Sequence, residues 1–203
     1  DFASNGGTTW TNIATNVLAS VQTVDWDSVS YGRAAAGLWR VVSQTDSNVY
    51  DISDAYFALR NGGSIPYYVN DSLDSCDLYT TAAGHSSNDG FLPSTPKDSI
   101  QNLVDSIDLE PGDIVYVDAG TYDLNEEVLV GVFDAGTATN FVLFQGSTNI
   151  VCGTTILDRQ TDSGNAVHLF QTLGIEFRDF HIRNADVGVL VEQASNSRFE
   201  KVR

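Results

Sequence analysis

Two sets of side chains in this sequence have the chemistry of a functional site, and the first lies in an acidic loop. Asp71, Asp74 and Asp77 recur at every third position, and Asn88 and Asp89 follow. Carboxylate oxygens are preferred ligands of Ca²⁺, but this spacing lacks the alternate-residue ligands and central glycine of an EF-hand. Two interpretations stay open: a structural calcium site formed by Asp71, Asp74, Asp77 and Asp89, or a loop whose side chains cap its own turns.

The second set contains the basic side chains His168, Arg178, His181 and Arg183. Removal of a proton beside a carboxylate needs a base, and it needs a group that neutralises the carboxylate charge. The two histidines are on different predicted strands, and no carboxylate cluster is predicted to face either one. We therefore assign no catalytic residue and expect both histidines to be ordinary surface residues.

A repeat shows which elements position these side chains. The segment Ala166–Gln171 is echoed by Gly188–Gln193, and Phe177–Phe180 is echoed by Phe199–Val202, each time at a 22-residue offset. A unit this short cannot bury its apolar face alone and must stack on a neighbour. The repeat therefore predicts the stacked coils of a solenoid.

Short apolar strands separated by Gly, Asn and Asp fill the sequence from Pro111 onward. This pattern excludes a doubly wound α/β sheet, and a β-sandwich would have longer strands and no repeat. We predict an all-β fold, a right-handed parallel β-helix, with a turn at Asp118–Thr121. The predicted strands are Ile114–Val117, Val128–Val130, Phe141–Phe144, Thr155–Leu157, Val167–Leu169, Ile175–Phe177, Phe180–Ile182 and Val189–Val191.

The same offset also predicts which residues stack. Paired positions on neighbouring parallel strands lie about 4.8 Å apart, where opposite charges stabilise and like charges destabilise. Such pairs give charged residues a structural role that needs no active site. The predicted stacking ladder is Glu176 with Arg198, Arg178 with Glu200 and Asp179 with Lys201, and the predicted interior pairs are Val167 with Val189, Leu169 with Val191, Phe177 with Phe199 and Phe180 with Val202.

Residues 1–65 are predicted to be a separate segment, whose fold and role the pattern does not define. Apolar spacing predicts a helix over residues 13–24, and a capping residue with a glycine stop predicts another over 51–60. All the tryptophans of the chain lie in this segment. They either pack as a small core or offer their faces to a sugar. These residues are Trp10, Trp26 and Trp39.

Residues 66–108 are predicted to form a leading loop and a capping helix ahead of the coils of residues 109–203. Thr95–Asp98 has the sequence of a capping box with proline at the first helical position. Apolar residues at helical spacing follow from Ile100 to Ile107. We expect this helix to cover one end of the coils. At the other end, we expect the coils to continue beyond Arg203 or to be covered by another subunit.

Composition restricts the partners and the compartment. The 27 acidic and 10 basic residues give a formal charge of -17, which argues against nucleic acid or an anionic membrane surface as partner. No apolar run approaches the roughly 20 residues that span a bilayer. Cys76 and Cys152 match no metal-ligand spacing, so they either form a disulfide in an oxidising compartment or remain free thiols.

Three segments also resemble a known family. Ala83–Gly90, Pro93–Pro96 and Leu109–Tyr122 are similar to the opening of pectin-lyase-like β-helix proteins. The likeness begins at Tyr67 and is closest to β-helix modules of very large secreted or surface-anchored bacterial proteins. It implies the parallel β-helix and its N-terminal cap. It does not specify an activity, because the same opening precedes lyases, epimerases and modules without known chemistry.

These observations favour an extracellular or cell-surface β-helix module with a structural or adhesive role, assembled into fibres or into a larger surface protein. One alternative is a polysaccharide lyase or epimerase that acts on acidic polysaccharide, and another is a carbohydrate-binding module. The expected cofactor is none or a structural calcium. The expected partners are another copy or further coils at the C-terminal end, and polysaccharide. The glycan and the oligomeric state are left open.

Overall fold

The computed structural model describes residues 1–18, 20–21, 23–61, 63–149, 151, 153–161 and 163–203. They form two compact units, Asp1–Ile65 and Pro66–Arg203. Within the described residues, helix is limited to a four-residue 3-10 turn and a five-residue α-helix, so the predicted all-β class is confirmed. No helix in this part of the chain is long and apolar enough to cross a membrane.

The first unit is a small antiparallel sheet around one long strand. Its elements are β1 (Phe2–Ala3), a 3-10 turn (Ser28–Tyr31), β2 (Ala34–Val42), β3 (Tyr50–Ile52) and β4 (Phe57–Leu59). Strand β2 pairs with each of the other three strands. Its core is aromatic, because buried Phe2 lies 5.0 Å from the ring of Trp26 and 5.8 Å from that of Trp39.

Both helices predicted for the first unit are wrong. No described residue between 13 and 24 is helical, and the described apolar side chains from Val17 to Val24 are at least 47% exposed. Asn16 has a left-handed φ of 58°, which a right-handed helix does not accommodate. Residues 51–60 contribute to β3 and β4 instead, because hydrogen bonds to β2 outweigh the local capping signals.

The second unit consists of three parallel sheets that the chain visits in rotation. Its strands are β5 (Pro66–Val69), β6 (Ile114–Val117), β7 (Gly120–Asp123), β8 (Val128–Val130), β9 (Val142–Gly146), β10 (Thr155–Asp158), β11 (Asn165–Phe170), β12 (Ile175–Arg178), β13 (Phe180–Arg183), β14 (Val187–Glu192) and β15 (Arg198–Glu200). The sheet orders are β5-β6-β9-β12-β15, β7-β10-β13 and β8-β11-β14. The chain therefore passes through the sheets in the same sequence each time.

The eight strands predicted for the coils are confirmed, with ends that differ by a few residues. The structure adds β15 and β7. The turn predicted at Asp118–Thr121 is wrong in its second half, because Gly120 and Thr121 pair with Thr155 and Ile156 of β10. A glycine next to an aspartate is a turn signal, but strand pairing determines the outcome here.

Strand register is kept although the length of each turn of chain varies. In the five-stranded sheet, the stacked positions are Ile114 with Leu143, Val142 with Ile175, and Glu176 with Arg198. The first two pairs are further apart in the sequence than the third. The additional residues are accommodated in loops, so only the last turn shows a sequence repeat.

Buried apolar side chains stack along the interior of the five-stranded sheet. Val115, Phe144 and Phe177 occupy equivalent positions on β6, β9 and β12, and none is more than 1% exposed. The rings of Phe144 and Phe177 stack with centroids 4.5 Å apart. Phe199 continues the stack at 6.2 Å from Phe177, but it is 38% exposed because β15 is the edge strand.

The predicted capping helix forms, but it begins later than the sequence indicates. Helix α1 (Ile100–Val104) has Ser99 as its N-cap, and the Ser99 side chain accepts from the Asn102 amide. The cap predicted at Thr95 is wrong because the backbone near Lys97 pairs with Tyr68 and Val69 instead. The helix covers β8, where the Gln101 side chain accepts the Leu129 amide at 2.8 Å.

The corners between strands repeat the same backbone conformation. Left-handed φ values occur at three points of the last turn, and each recurs one 22-residue period later. They occur at Gln171 and Gln193, at Gly174 and Asn196, and at Asp179 and Lys201. Few side chains favour this conformation, so its recurrence shows that the backbone corners, as well as the strands, follow the repeat.

Candidate functional site

A polar cluster surrounds His168 on the outer face of the sheet β8-β11-β14. Alternation along β11 buries Val167 and Leu169 and turns His168 outward. The His168 Nδ1 lies 2.9 Å from Glu127 Oε1. On the other side, Nε2 lies 3.4 Å from Glu192 Oε2. The imidazole is therefore held between two carboxylates, and its side chain is only 14% exposed.

Glu127 is firmly positioned. Its second oxygen accepts from Asn165 Nδ2 at 2.7 Å. Arg159 supports that residue by donating to the Asn165 carbonyl at 3.0 Å. Burial alone would raise the pKa of Glu127, but the hydrogen bonds from Asn165 and His168 outweigh it and lower the pKa. Glu127 is thus an ionised acceptor that fixes the orientation of the His168 ring.

A carboxylate on Nδ1 orients an imidazole so that Nε2 is directed toward a reacting group. In this cluster Nε2 is directed at Glu192 and makes no hydrogen bond among the described residues. No carboxylate cluster was expected to face His168, yet the carboxylates of Glu127 and Glu192 lie on its two sides. Glu127 precedes β8 and Glu192 ends β14, and neither position is one repeat away from His168. His181 is exposed on β13, away from this cluster.

The six charged residues of the predicted stacking ladder are brought together on β12, β15 and the corners that follow them. Glu176 is 4% exposed, and Arg178 of the same strand also donates to it. The shortest cross-strand distances are 3.5 Å for Glu176 with Arg198, 3.3 Å for Arg178 with Glu200 and 3.4 Å for Asp179 with Lys201.

Two of the four carboxylates of the predicted calcium site cap separate turns. Asp71 accepts from the Leu73 amide at 2.8 Å, and Asp89 accepts from the Thr95 hydroxyl at 2.6 Å. Asp74 is exposed. No group of three or more His, Cys, Asp or Glu in the described ranges has a geometry that could hold a metal ion. A structural calcium in this loop stays a prediction.

Asp77 is a carboxylate of this loop whose hydrogen bonding is incomplete within the described residues. One of its oxygens accepts from Asn70 Nδ2 at 2.8 Å, while the other is buried and has no hydrogen-bond partner in the described part of the chain. Burial raises the pKa of Asp77, and the nearby charge of Asp118 adds to this effect, while the Asn70 hydrogen bond opposes it.

Asp118 anchors the acidic loop through hydrogen bonds. The sequence did not indicate this role. It is fully buried. Its carboxylate accepts three backbone amides, those of Leu78, Tyr79 and Thr80, at 2.6 to 2.8 Å. Leu78 is far from Asp118 in the sequence, so only the fold reveals this contact. A turn-forming aspartate was the only visible signal.

The cysteines are described in part. Cys76 is disulfide-bonded, and Cys152 lies outside the described residues. The pairing of Cys76 with Cys152 therefore stays a prediction.

Two of the tryptophans, Trp26 and Trp39, belong to the aromatic cluster of the first unit. Trp26 and Trp39 pack edge to face with centroids 4.3 Å apart. The guanidinium of Arg40 lies 4.4 Å from the centroid of Trp10, a cation–π contact. These contacts give the indole rings packing roles, and a carbohydrate-binding role for them stays a prediction.

Fold and site together define an all-β protein with parallel sheets, in which the charges of β12 and β15 are paired. No family model matches the chain, and a search of curated proteins finds no similar sequence. The resemblance to pectin-lyase-like proteins therefore stays a prediction that rests on the segments named above.

Proposed function

We propose that residues 66–203 are a right-handed parallel β-helix and that the protein is a structural or adhesive module of the cell surface or the extracellular medium. The repeated order of the three sheets, the buried ring stack and the recurring left-handed corners support this architecture. A β-helix of this kind is a rigid rod that presents long flat faces.

The pairing of outward charges is the observation that carries the functional part. Glu176 contacts Arg178 within its own strand and Arg198 across strands, so these three charges are paired with one another. Each exposed pair contributes less than about 1 kcal/mol. Together they account for residues that an enzyme on this sheet would need for chemistry.

A second candidate, acid–base chemistry on an acidic polysaccharide, is favoured by the Glu127–His168 contact alone. Incubation of the whole protein with uronate polymers, followed by ultraviolet detection of unsaturated products, separates the two functions. We expect no product. The control is His85→Gln, which alters a histidine of the acidic loop. If product forms, is lost in His168→Gln and is kept in His85→Gln, the protein is a lyase and the proposed structural role is wrong.

We further propose that the edge formed by β13, β14 and β15 is covered by another copy of the protein or by further coils, and that residues 66–203 associate through it when further coils do not cover it. Among the described residues, no strand lies on the outer side of these three, and only the Arg203 backbone pairs with β13 there. They leave Val187, Val191 and Phe199 between 37% and 46% exposed. Unpaired strand edges of this kind template pairing with another chain.

Sedimentation velocity over a range of concentrations tests this association. We expect a mass that rises with concentration, and we expect Val191→Lys to lower it because a charge on an edge strand opposes pairing. Val41→Lys, at an exposed site of the first unit, is the matched control. A protein that stays monomeric at every concentration would contradict the proposed association.

A further inference from the structure

Positive charge is concentrated at one end of this acidic chain. Residues 1–158 contain 21 acidic and four basic residues, whereas residues 159–203 contain six of each. Most of the basic side chains in that last part are already held. Arg159 donates to backbone carbonyls, Arg183 to Asp158, Arg178 and Arg198 contact Glu176, and Lys201 contacts Asp179.

Arg203 differs from these residues. Its backbone amide donates to the Phe180 carbonyl at 3.1 Å, and its carbonyl accepts from the Ile182 amide at 2.9 Å. This hydrogen-bond pattern pairs Arg203 with His181 in a parallel ladder. The two residues obey the same sequence offset as the charged pairs of the stacking ladder.

The His181–Arg203 pair breaks the rule that the ladder follows. The three pairs of the stacking ladder join an acid to a base, whereas this pair stacks two bases. Both residues are exposed, and neither side chain has a hydrogen bond or ion pair within the described ranges. Two basic groups stacked about 4.8 Å apart repel when both are charged, and an anion between them would remove that repulsion.

A cavity of about 300 Å³ lies where such an anion would bind. His181, Lys201 and Arg203 line it together with the polar side chains of Thr148 and Asn149. The acid in its wall, Asp179, is already occupied, since it contacts Lys201 and accepts from Gln145 Nε2 at 3.0 Å. Lys201 retains free donors, because an ammonium group has three.

We propose that this cavity binds a small oxyanion, the carboxylate, phosphate or sulfate group of a ligand. Lys201 and Arg203 neutralise its charge, and a ring N–H of His181 donates to one of its oxygens. Thr148 already contacts the Tyr79 hydroxyl and Asn149 donates to the Cys76 carbonyl, so these two side chains form the polar wall of the cavity. The site lies at the corner between β12 and β13, whereas the His168 cluster is on the sheet β8-β11-β14. The proposal therefore does not depend on the structural role of the module.

Titration of the whole protein with acetate, phosphate and sulfate at constant ionic strength tests the site. The backbone and side-chain NMR signals of His181, Lys201 and Arg203 report on binding. We expect saturable shifts with at least one anion, and the anion that binds most tightly identifies the group. Arg203→Gln should weaken binding about tenfold, the loss expected for one charge-assisted hydrogen bond.

Arg183→Gln is the matched control, because Arg183 is on the same strand as His181 but is held by Asp158 and does not line the cavity. It should leave the affinity within about twofold. Lys201→Gln provides a second test if Arg203→Gln fails to fold. Shifts that stay linear with all three anions, or folded variants that bind like the unaltered protein, would overturn the proposal.

Discussion

At the scale of single residues, Asp134 shows what burial does to a charge. It accepts the Leu109 amide at 3.3 Å and is 6% exposed. Burial, together with the charges of Asp108 and Asp105, raises its pKa from 3.8 to about 6 despite this hydrogen bond. The folded state thus binds this proton more tightly than the unfolded state does. Ionisation of Asp134 therefore lowers the free energy of unfolding. This loss develops between pH 3.8 and about 6, is complete above pH 6 and is absent well below pH 3.8.

Asp134→Asn should therefore stabilise the protein at pH 7 by about 1–2 kcal/mol, because the amide keeps an acceptor for Leu109 and carries no charge. Urea unfolding at pH 7 and pH 4 measures the effect, and the difference should close at the lower pH. Asp123→Asn, at an exposed position of β7, is the control. An Asp134→Asn variant that is less stable at both values contradicts this account.

Phe177 and Phe199 make a matched pair, because they have the same side chain in the same stack but differ in burial. Phe177→Ala should cost about 3–5 kcal/mol of unfolding free energy, as expected for a buried phenylalanine. Phe199→Ala should cost less than half of that, since Phe199 is already partly in water. Equal losses in chemical denaturation would contradict the stacked interior.

At the scale of elements, the corner at Gly174 requires a left-handed backbone and close packing without a side chain. Gly174 adopts a φ of 64°, and a Cβ at this position would lie 2.3 Å from the Thr137 carbonyl oxygen. Gly131 has open space around it and no such backbone constraint. We expect Gly174→Ala to destabilise the protein by about 2 kcal/mol or more and Gly131→Ala to be nearly neutral. Similar denaturation midpoints for the two variants would contradict a fixed corner.

The eight strands predicted in the second unit were predictable because each carries apolar and β-branched residues between turn residues, as in Ile114–Val117, whereas β7 and β15 lack such a run. The ladder was predictable because its last turn is free of insertions. The helices predicted for the first unit were wrong because the local spacing of apolar residues carries no information about long-range strand pairing, such as the pairing of β3 and β4 with β2. The contacts of Asp118 and of Glu127 were not predictable, since loops of unequal length separate their partners.

At the scale of the whole molecule, the formal charge of -17 dominates the response to salt. Self-repulsion opposes the compact state, and salt screens it. Salt also weakens the exposed ion pairs, but each of them contributes little to the stability, so this loss is small. We expect the melting temperature to rise with NaCl and to rise equally with KCl. Melting that is unchanged or lowered by both salts would contradict this balance.

Calcium provides a separate comparison. A rise in melting temperature with CaCl2 at far lower ionic strength than with NaCl would support the calcium site predicted for Asp71, Asp74, Asp77 and Asp89. Asp74→Asn should then abolish the difference. Equal effects of the two salts at matched ionic strength would leave the acidic loop as a set of capped turns.

The central claim is that the repeated segments at the end of the chain lie on neighbouring parallel strands of a continuous coil. Nuclear Overhauser contacts between backbone protons test it most directly. The account predicts contacts between Val167 and Val189 and between Phe177 and Phe199, in one register. Ordered strands whose contacts follow another offset, or that pair antiparallel, would contradict it.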